Sequence, residues 1–279
     1  MQDIPFGISR LDSLLEGGAP PGSVVLLSGE AGAGAREFVY TSAAMNALAH
    51  TNDDLFDLHY GELPEGAILP PEVHYVSFTS SKETLEQELR YTMSDDIVDD
   101  AIDHINYQDL STEYFQSSRI PQDWYLGRTT DLSDLSGGGG NREKVLSVLG
   151  DYLTEHASGN LVVFDAITDL LSALGDDLEW QDIPMLIRGL KRAAAQWGGL
   201  ILVLASEETL TPTRLGQLSD AASGTINFSW ETGGSKRARV MVVKQFRGVL
   251  SRLEQEDIVQ FESEIHEGGY DLSNVRKIR

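Results

Sequence analysis

Through the first two thirds of the chain, apolar runs of strand length alternate with longer amphipathic stretches. That alternation predicts βαβ units and a mainly parallel sheet. Strands are expected at Val24 to Ser28, His74 to Phe78, Ile105 to Gln108, Leu161 to Ile167 and Leu200 to Ala205. Helices are expected between them, at Arg36 to Ala49, Lys82 to Met93, Arg142 to His156 and Trp180 to Trp197. From Gly224 onward the rhythm changes. Thr225 to Trp230, Arg237 to Phe246 and Ile258 to Ile265 read as strands joined by short connections, an antiparallel extension of the sheet. The predicted class is α/β, with helices on both faces of the sheet.

A chain of 279 residues with 41% hydrophobic content suits one large domain, 1–279, with a substantial core. Loop insertions are expected at 51–72, acidic with three prolines, and at 111–140, which ends in the run Gly137 to Gly140. That glycine run lies outside any strand-to-helix phosphate motif, so it reads as a flexible linker. No run of 18 apolar residues occurs, and Met1 to Arg10 lacks a charged leader followed by an apolar stretch, so a cytoplasmic protein without a membrane span is expected. The chain has no cysteine, and His50, His59, His74, His104, His156 and His266 are dispersed without ligand spacing; no metal site is assigned.

The formal charge is −23, from 44 acidic residues against 21 basic ones, of which only six are lysine. Such a surface repels nucleic acid and anionic membranes at ordinary salt. In molar salt the Debye length falls to about 3 Å, and the same acidity then serves solubility. The composition reads first as that of a protein from a salt-loving cell, with a dedicated basic partner as the alternative.

Between the first strand and its helix lies Gly29-Glu30-Ala31-Gly32-Ala33-Gly34-Ala35-Arg36. Gly29 and Gly34 fit the spacing of the phosphate-binding template G-x-x-x-x-G-K-[ST], in the strand, loop, helix context that the template requires. The chemistry departs from it. Ala35 stands where a lysine would reach the phosphates, and Arg36 where a hydroxyl would hold magnesium. Backbone N–H groups and the helix N-terminus can still face an anion, but a guanidinium cannot ligate a metal and would sit where the ion binds. Two readings stay open: weakened ATP binding with magnesium doubtful, or a fossil loop kept because its glycines pack the turn.

Upstream, Phe6-Gly7-Ile8-Ser9-Arg10-Leu11-Asp12-Ser13-Leu14-Leu15-Glu16-Gly17-Gly18-Ala19-Pro20-Pro21-Gly22-Ser23 resembles the entry of KaiC, RadA and related proteins of the RecA superfamily, and the likeness runs through most of the chain. The resemblance implies a RecA-like P-loop NTPase core. In that family the second strand commonly ends in Phe-Glu-Glu, whose glutamates polarise the attacking water; here Phe78 is followed by Thr79 and Ser80, and neighbouring Glu83 reads as a first-turn surface carboxylate. Leu161-Val162-Val163-Phe164-Asp165 resembles a Walker B strand, which would place Asp165 near the metal; the other reading is a structural role, capping or hydrogen bonding the loop before Leu170. Lys244-Gln245-Phe246-Arg247-Gly248 is similar to the family's K-x-R-G, whose cations reach a neighbouring subunit's nucleotide, with one extra residue between the cations. Three apart on a strand, Lys244 and Arg247 face opposite ways unless a bulge intervenes, leaving Arg247 the better candidate.

The binding candidates are therefore Gly29 through Arg36, Asp165 and Arg247, and no catalytic residue is assigned. The resemblance implies a KaiC-like regulator, a nucleotide sensor or protein scaffold, akin to clock-like regulators, motility-motor components or transducer-like proteins of salt-loving archaea. It also implies protein partners, as a homo-oligomer or as a silent subunit in a ring of active paralogues. The alternatives are a RadA-like recombination paralogue, disfavoured by the missing basic aromatic stretch, and a weak ATPase using Lys82 or Lys244 as a displaced lysine.

Overall fold

A computed structural model of the chain describes residues 2–116, 120–121, 124–125, 141–174, 180–232, 237–246, 249–250, 253 and 258–277. Among them, β1 (Ser23–Gly29), β2 (Val73–Ser77), β3 (Ile105–Asp109), β4 (Leu161–Asp165), β5 (Leu200–Ser206), β6 (Gly224–Thr232), β7 (Arg237–Phe246), β8 (Ile258–His266) and β9 (Gly269–Lys277) form one sheet. Its order is β3-β2-β4-β5-β1-β6-β7-β8-β9. The strands from β3 to β6 run parallel, and β7, β8 and β9 continue antiparallel, so the expected α/β class and antiparallel extension are both present.

The described helices are α1 (Ser9–Leu14), α2 (Ala35–Leu48), α3 (Asp53–His59), α4 (Lys82–Thr92), α5 (Asp95–Ala101), α6 (Ser111–Phe115), α7 (Asn141–His156), α8 (Ile167–Leu174), α9 (Asp182–Trp197) and α10 (Pro212–Ala221). Because successive strand side chains alternate sides, each central strand feeds two cores. Val25 and Leu27 of β1, with Leu161 and Val163 of β4, pack among Phe38, Leu89 and Ile97 of α2, α4 and α5. Val24, Leu26, Val162 and Phe164 pack among Leu149, Leu170, Ile187 and Leu218 of α7, α8, α9 and α10. Burial on both faces is why these strands read as unbroken apolar runs.

The structure departs from the sequence expectation in several places. The strand expected to reach Ile167 stops at Asp165, and Ile167 begins α8, whose Ile167 and Leu170 are buried at helical spacing. The 51–72 segment carries α3, capped by the Asn52 side chain accepting from Leu55 N at 3.0 Å. The 111–140 segment opens with α6, and its Gly137 to Gly140 run lies outside the described residues. Strand β9 was not expected; its Tyr270 and Leu272 are buried against the first core.

The upstream motif is explained by one buried carboxylate. Asp12 Oδ1 accepts from Phe6 N at 2.7 Å, and Oδ2 accepts from Gly7 N, Ile8 N and the Tyr60 hydroxyl at 2.9, 3.1 and 3.0 Å. Burial pushes this carboxyl up to about 7 while the four hydrogen bonds pull it down. Gly18 follows at φ +118, where an added Cβ would meet Ile4 O at 2.2 Å. The motif thus folds the N-terminal segment onto the sheet, and Arg10 ties it to β9 by donating to Leu272 O and Ser273 O at 3.0 and 2.7 Å.

Candidate functional site

Parallel strands align their C-terminal ends, and ligands in open α/β sheets bind beyond that edge. Here Gly29 ends β1, Asp165 ends β4 and Ser206 ends β5, all on that edge. The loop from Gly29 is shaped by backbone bonds from Glu30 N to Phe228 O and Ala33 N to Glu30 O, both 3.0 Å. Gly34, at φ +111, precedes α2, and a Cβ there would stand 2.7 Å from the Tyr270 ring. No side chain caps this helix, so its first-turn amides face the cleft as the helix dipole's positive end. The cleft has a volume of about 450 Å³ and is lined by the loop, by Ala166, Thr168, Asp169 and Ser172 of the β4–α8 region, and by Ser206 and Thr209.

The sequence candidates Gly29, Glu30, Ala31, Gly32, Gly34, Ala35 and Arg36 line this cleft, while Ala33 is buried behind it. Asp165 meets them through Arg36: Nη1 donates to Asp165 Oδ2 at 3.1 Å. The Arg36 side chain is 53% exposed and that of Asp165 only 7%. Burial works against the guanidinium's charge, but Asp165 and then Tyr40 hold its pKa above the ordinary arginine value. The Tyr75 hydroxyl donates to the same Oδ2 at 2.7 Å. Burial and the Asp165 charge push Tyr40 up to about 12 and raise Tyr75 well beyond its normal range, so both phenols stay protonated.

The carboxylate that the family resemblance would place beside a metal is thus bound to an internal cation. Among the described residues no group of three or more histidine, aspartate or glutamate side chains could hold a metal ion. Arg36 is also the cation that lines the cleft among the described residues, against the carboxylates Glu30, Glu37 and Asp169. Burial, then the Asp165 charge, raises the Asp169 pKa.

Other groups hold the loop from outside. Ala31 N donates to Glu208 Oε1 at 3.3 Å, putting an acidic side chain on a loop amide. Neighbouring Glu207 is held by Asn227 Nδ2 at 2.8 Å, which also donates to Ser28 Oγ. From β6 and β7, Trp230 Nε1 donates to Ala31 O and Arg239 Nε to Gly32 O, both at 3.1 Å, while the Arg237 and Arg239 guanidiniums lie 3.9 and 4.9 Å from the Trp230 ring. Sequence reasoning missed these residues. Glu207 and Glu208 were signalled by two acids directly following an apolar strand; Trp230 and Arg239 come from strands more than 190 positions downstream and carried no local signal.

At the end of β2, Ser77 Oγ accepts from Thr79 N and Ser80 N, and Thr79 Oγ1 donates to Asp169 Oδ2 at 3.4 Å, so hydroxyls tie down the turn where the resemblance implies glutamates. Glu83 lies exposed in the first turn of α4, its pKa lowered first by a hydrogen bond from Ser81. Of the displaced-lysine candidates, Lys82 lies 3.5 Å from Asp103, Lys244 is exposed on β7, and neither lines the cleft. Thr225 pairs with Gln245 and Ile226 with Val243, so Lys244 is the extra residue of a β-bulge. Arg247 lies outside the described residues.

No protein-family model matches the chain, and no curated protein matches it significantly. Among solved structures, 700 chains match significantly. One is a KaiC-like protein from the hyperthermophilic archaeon Pyrococcus horikoshii OT3, with a TM-score of 0.62 and 16% identity over 98% of this chain and 99% of that one. The likeness establishes a shared KaiC-like, RecA-type fold.

Proposed function

We propose that this chain is a KaiC-like regulatory protein that keeps the fold of a nucleotide-handling domain without its turnover and acts through protein partners. The observation that carries the reading is the Arg36–Asp165 pair at 3.1 Å. Phosphoryl transfer in P-loop proteins needs a lysine on the phosphates, a hydroxyl and a carboxylate on magnesium, and a group that orients the nucleophile. In this chain the carboxylate holds a guanidinium, Ala35 and Arg36 stand in place of the lysine and hydroxyl, and Thr79 and Ser80 stand in a turn fastened by Ser77 Oγ.

What the site retains is a 450 Å³ cleft with a glycine loop and an uncapped helix N-terminus. Those features favour occupancy by a nucleotide without metal over an empty scaffold. Occupancy would have to displace Glu208 from Ala31 N and tolerate the carboxylates lining the cleft, which argues for weak binding. The net charge of −23 disfavours nucleic acid at ordinary salt, and the KaiC-like fold is what suggests protein partners, as a homo-oligomer or as a silent subunit beside active paralogues.

The test is calorimetric titration of ATP in molar potassium chloride, with and without magnesium, paired with a phosphate-release assay. Binding that magnesium does not strengthen, with no turnover, supports a metal-free sensor; no binding and no turnover supports a scaffold. Magnesium-dependent hydrolysis would sink the proposal.

A further inference from the structure

We infer that the cleft beyond the glycine loop takes a nucleoside monophosphate in preference to a di- or triphosphate. This inference deepens the proposed metal-free occupancy and rests on it. In the phosphate-loop template, backbone N–H groups cradle the inner phosphates, the lysine reaches the outer ones, and the hydroxyl holds the magnesium that serves them. Ala35 and Arg36 stand at the lysine and hydroxyl positions, so the loss in this chain falls on the outer phosphates.

The groups that serve the inner phosphate are retained. Gly32 and Gly34 keep positive φ, +71 and +111. Among the described residues their amides have no hydrogen-bond acceptor. Both glycines line the cleft with Ala35 and Arg36 at the uncapped start of α2, where orphan amides and the helix dipole favour an anionic group. The loop already takes one such group, because Ala31 N donates to the Glu208 carboxylate at 3.3 Å.

Charge sets the upper limit. Glu30, Glu37 and Asp169 line the cleft beside Arg36, the one cation there among the described residues, and Asp165 matches that cation at 3.1 Å. Each phosphate beyond the first brings negative charge that neither a lysine nor a metal offsets. Size sets no such limit, since a cleft of about 450 Å³ lies within the range of small-ligand sites. Thr168, Ser172, Ser206 and Thr209 add hydroxyls to the lining, which suit the polar edges of a sugar and base.

The experiment titrates AMP, ADP, ATP and adenosine into the full chain by calorimetry, in potassium chloride with a chelator and again with magnesium. Melting temperature is the second readout, since a ligand that binds only the folded state raises it. AMP is expected to bind most tightly, with each further phosphate weakening binding about fivefold or more. Adenosine should bind more weakly than AMP, and magnesium should leave the AMP affinity unchanged. Ala35→Lys returns a cation to the loop and should shift the AMP-to-ATP ratio toward ATP. Glu30→Gln, at an exposed position where folding is preserved, removes a lining charge and should shift the ratio the same way. ATP binding as tightly as AMP without turnover would overturn the inference and leave the metal-free reading standing, whereas magnesium-dependent hydrolysis would overturn both. No binding by any of the four, adenosine as tight as AMP, or a ratio unchanged in both variants would also overturn the inference.

Discussion

Replacing Arg36 with alanine removes the partner of a buried carboxylate. At 3.1 Å the pair has a Coulomb energy of about 5 kcal/mol at an effective dielectric constant of about 20. The guanidinium is 53% exposed, so solvent and salt screen much of that attraction. Against this, Asp165 keeps only the Tyr75 hydrogen bond once Arg36 is gone, and removing one partner from a buried pair is destabilising. The net expectation is a loss of about 1 to 3 kcal/mol, which for a chain of this size lowers the melting temperature by roughly 2 to 10 °C. Urea unfolding of the wild type, Arg36→Ala and Arg36→Lys measures it, with the lysine variant falling between the other two because it keeps charge without the fork. Were Arg36→Ala as stable as the wild type within about 0.5 kcal/mol, the guanidinium would be a solvated surface group and the idea of an internal cation would be wrong.

Glu208→Gln removes the negative charge at Ala31 N while keeping an acceptor there, so inorganic phosphate or ATP should bind several-fold more tightly by calorimetry; unchanged affinity would mean that the Glu208 charge does not compete for the loop. Gly34→Ala forces a side chain into φ +111 and to 2.7 Å from the Tyr270 ring, and should cost about 1 to 3 kcal/mol in urea unfolding. Because burial raises the folded Asp12 carboxyl from 3.8 to about 7, the folded chain holds a proton there that the unfolded chain releases. Stability from this site is then full below about pH 4 and is lost as pH rises through about 7. Melting temperatures from pH 5 to 8.5 should fall more steeply for the wild type than for Asp12→Asn, and equal slopes would show that the four hydrogen bonds, not burial, set the charge of Asp12.

The doubly buried strands were legible because burial on both faces leaves a continuous apolar run, and β1, β5 and the helix α2 fall within a residue or two of their expected limits. The same signal misled at Ile167, where an apolar run passes from strand into helix without a polar break. Helices α3, α5 and α10 escaped notice because each is short and rich in polar residues; what defines α3 and α10 locally is a cap, Asn52 for one and Thr211 accepting from Arg214 N for the other. At the site, the loop and Asp165 were legible from spacing and strand ends. Their grip on one another was not, because it spans 129 positions, and the partners Tyr75, Trp230 and Arg239 are ordinary strand residues until the sheet brings them to the loop.

On the proposed reading, the residues at Arg36 and Thr79 do more than leave catalytic positions empty. A carboxylate at the end of β4 is fixed by its strand and is almost wholly buried, so without a metal it needs another cation or it destabilises the sheet edge. Arg36 supplies that cation from the position where the phosphate-loop template has a hydroxyl. Thr79 and Ser80, in turn, occupy a turn that Ser77 fastens by two backbone bonds, with the Thr79 hydroxyl reaching Asp169. On the proposed reading, Arg36 and Thr79 each contribute a side-chain contact at the site, to Asp165 and to Asp169.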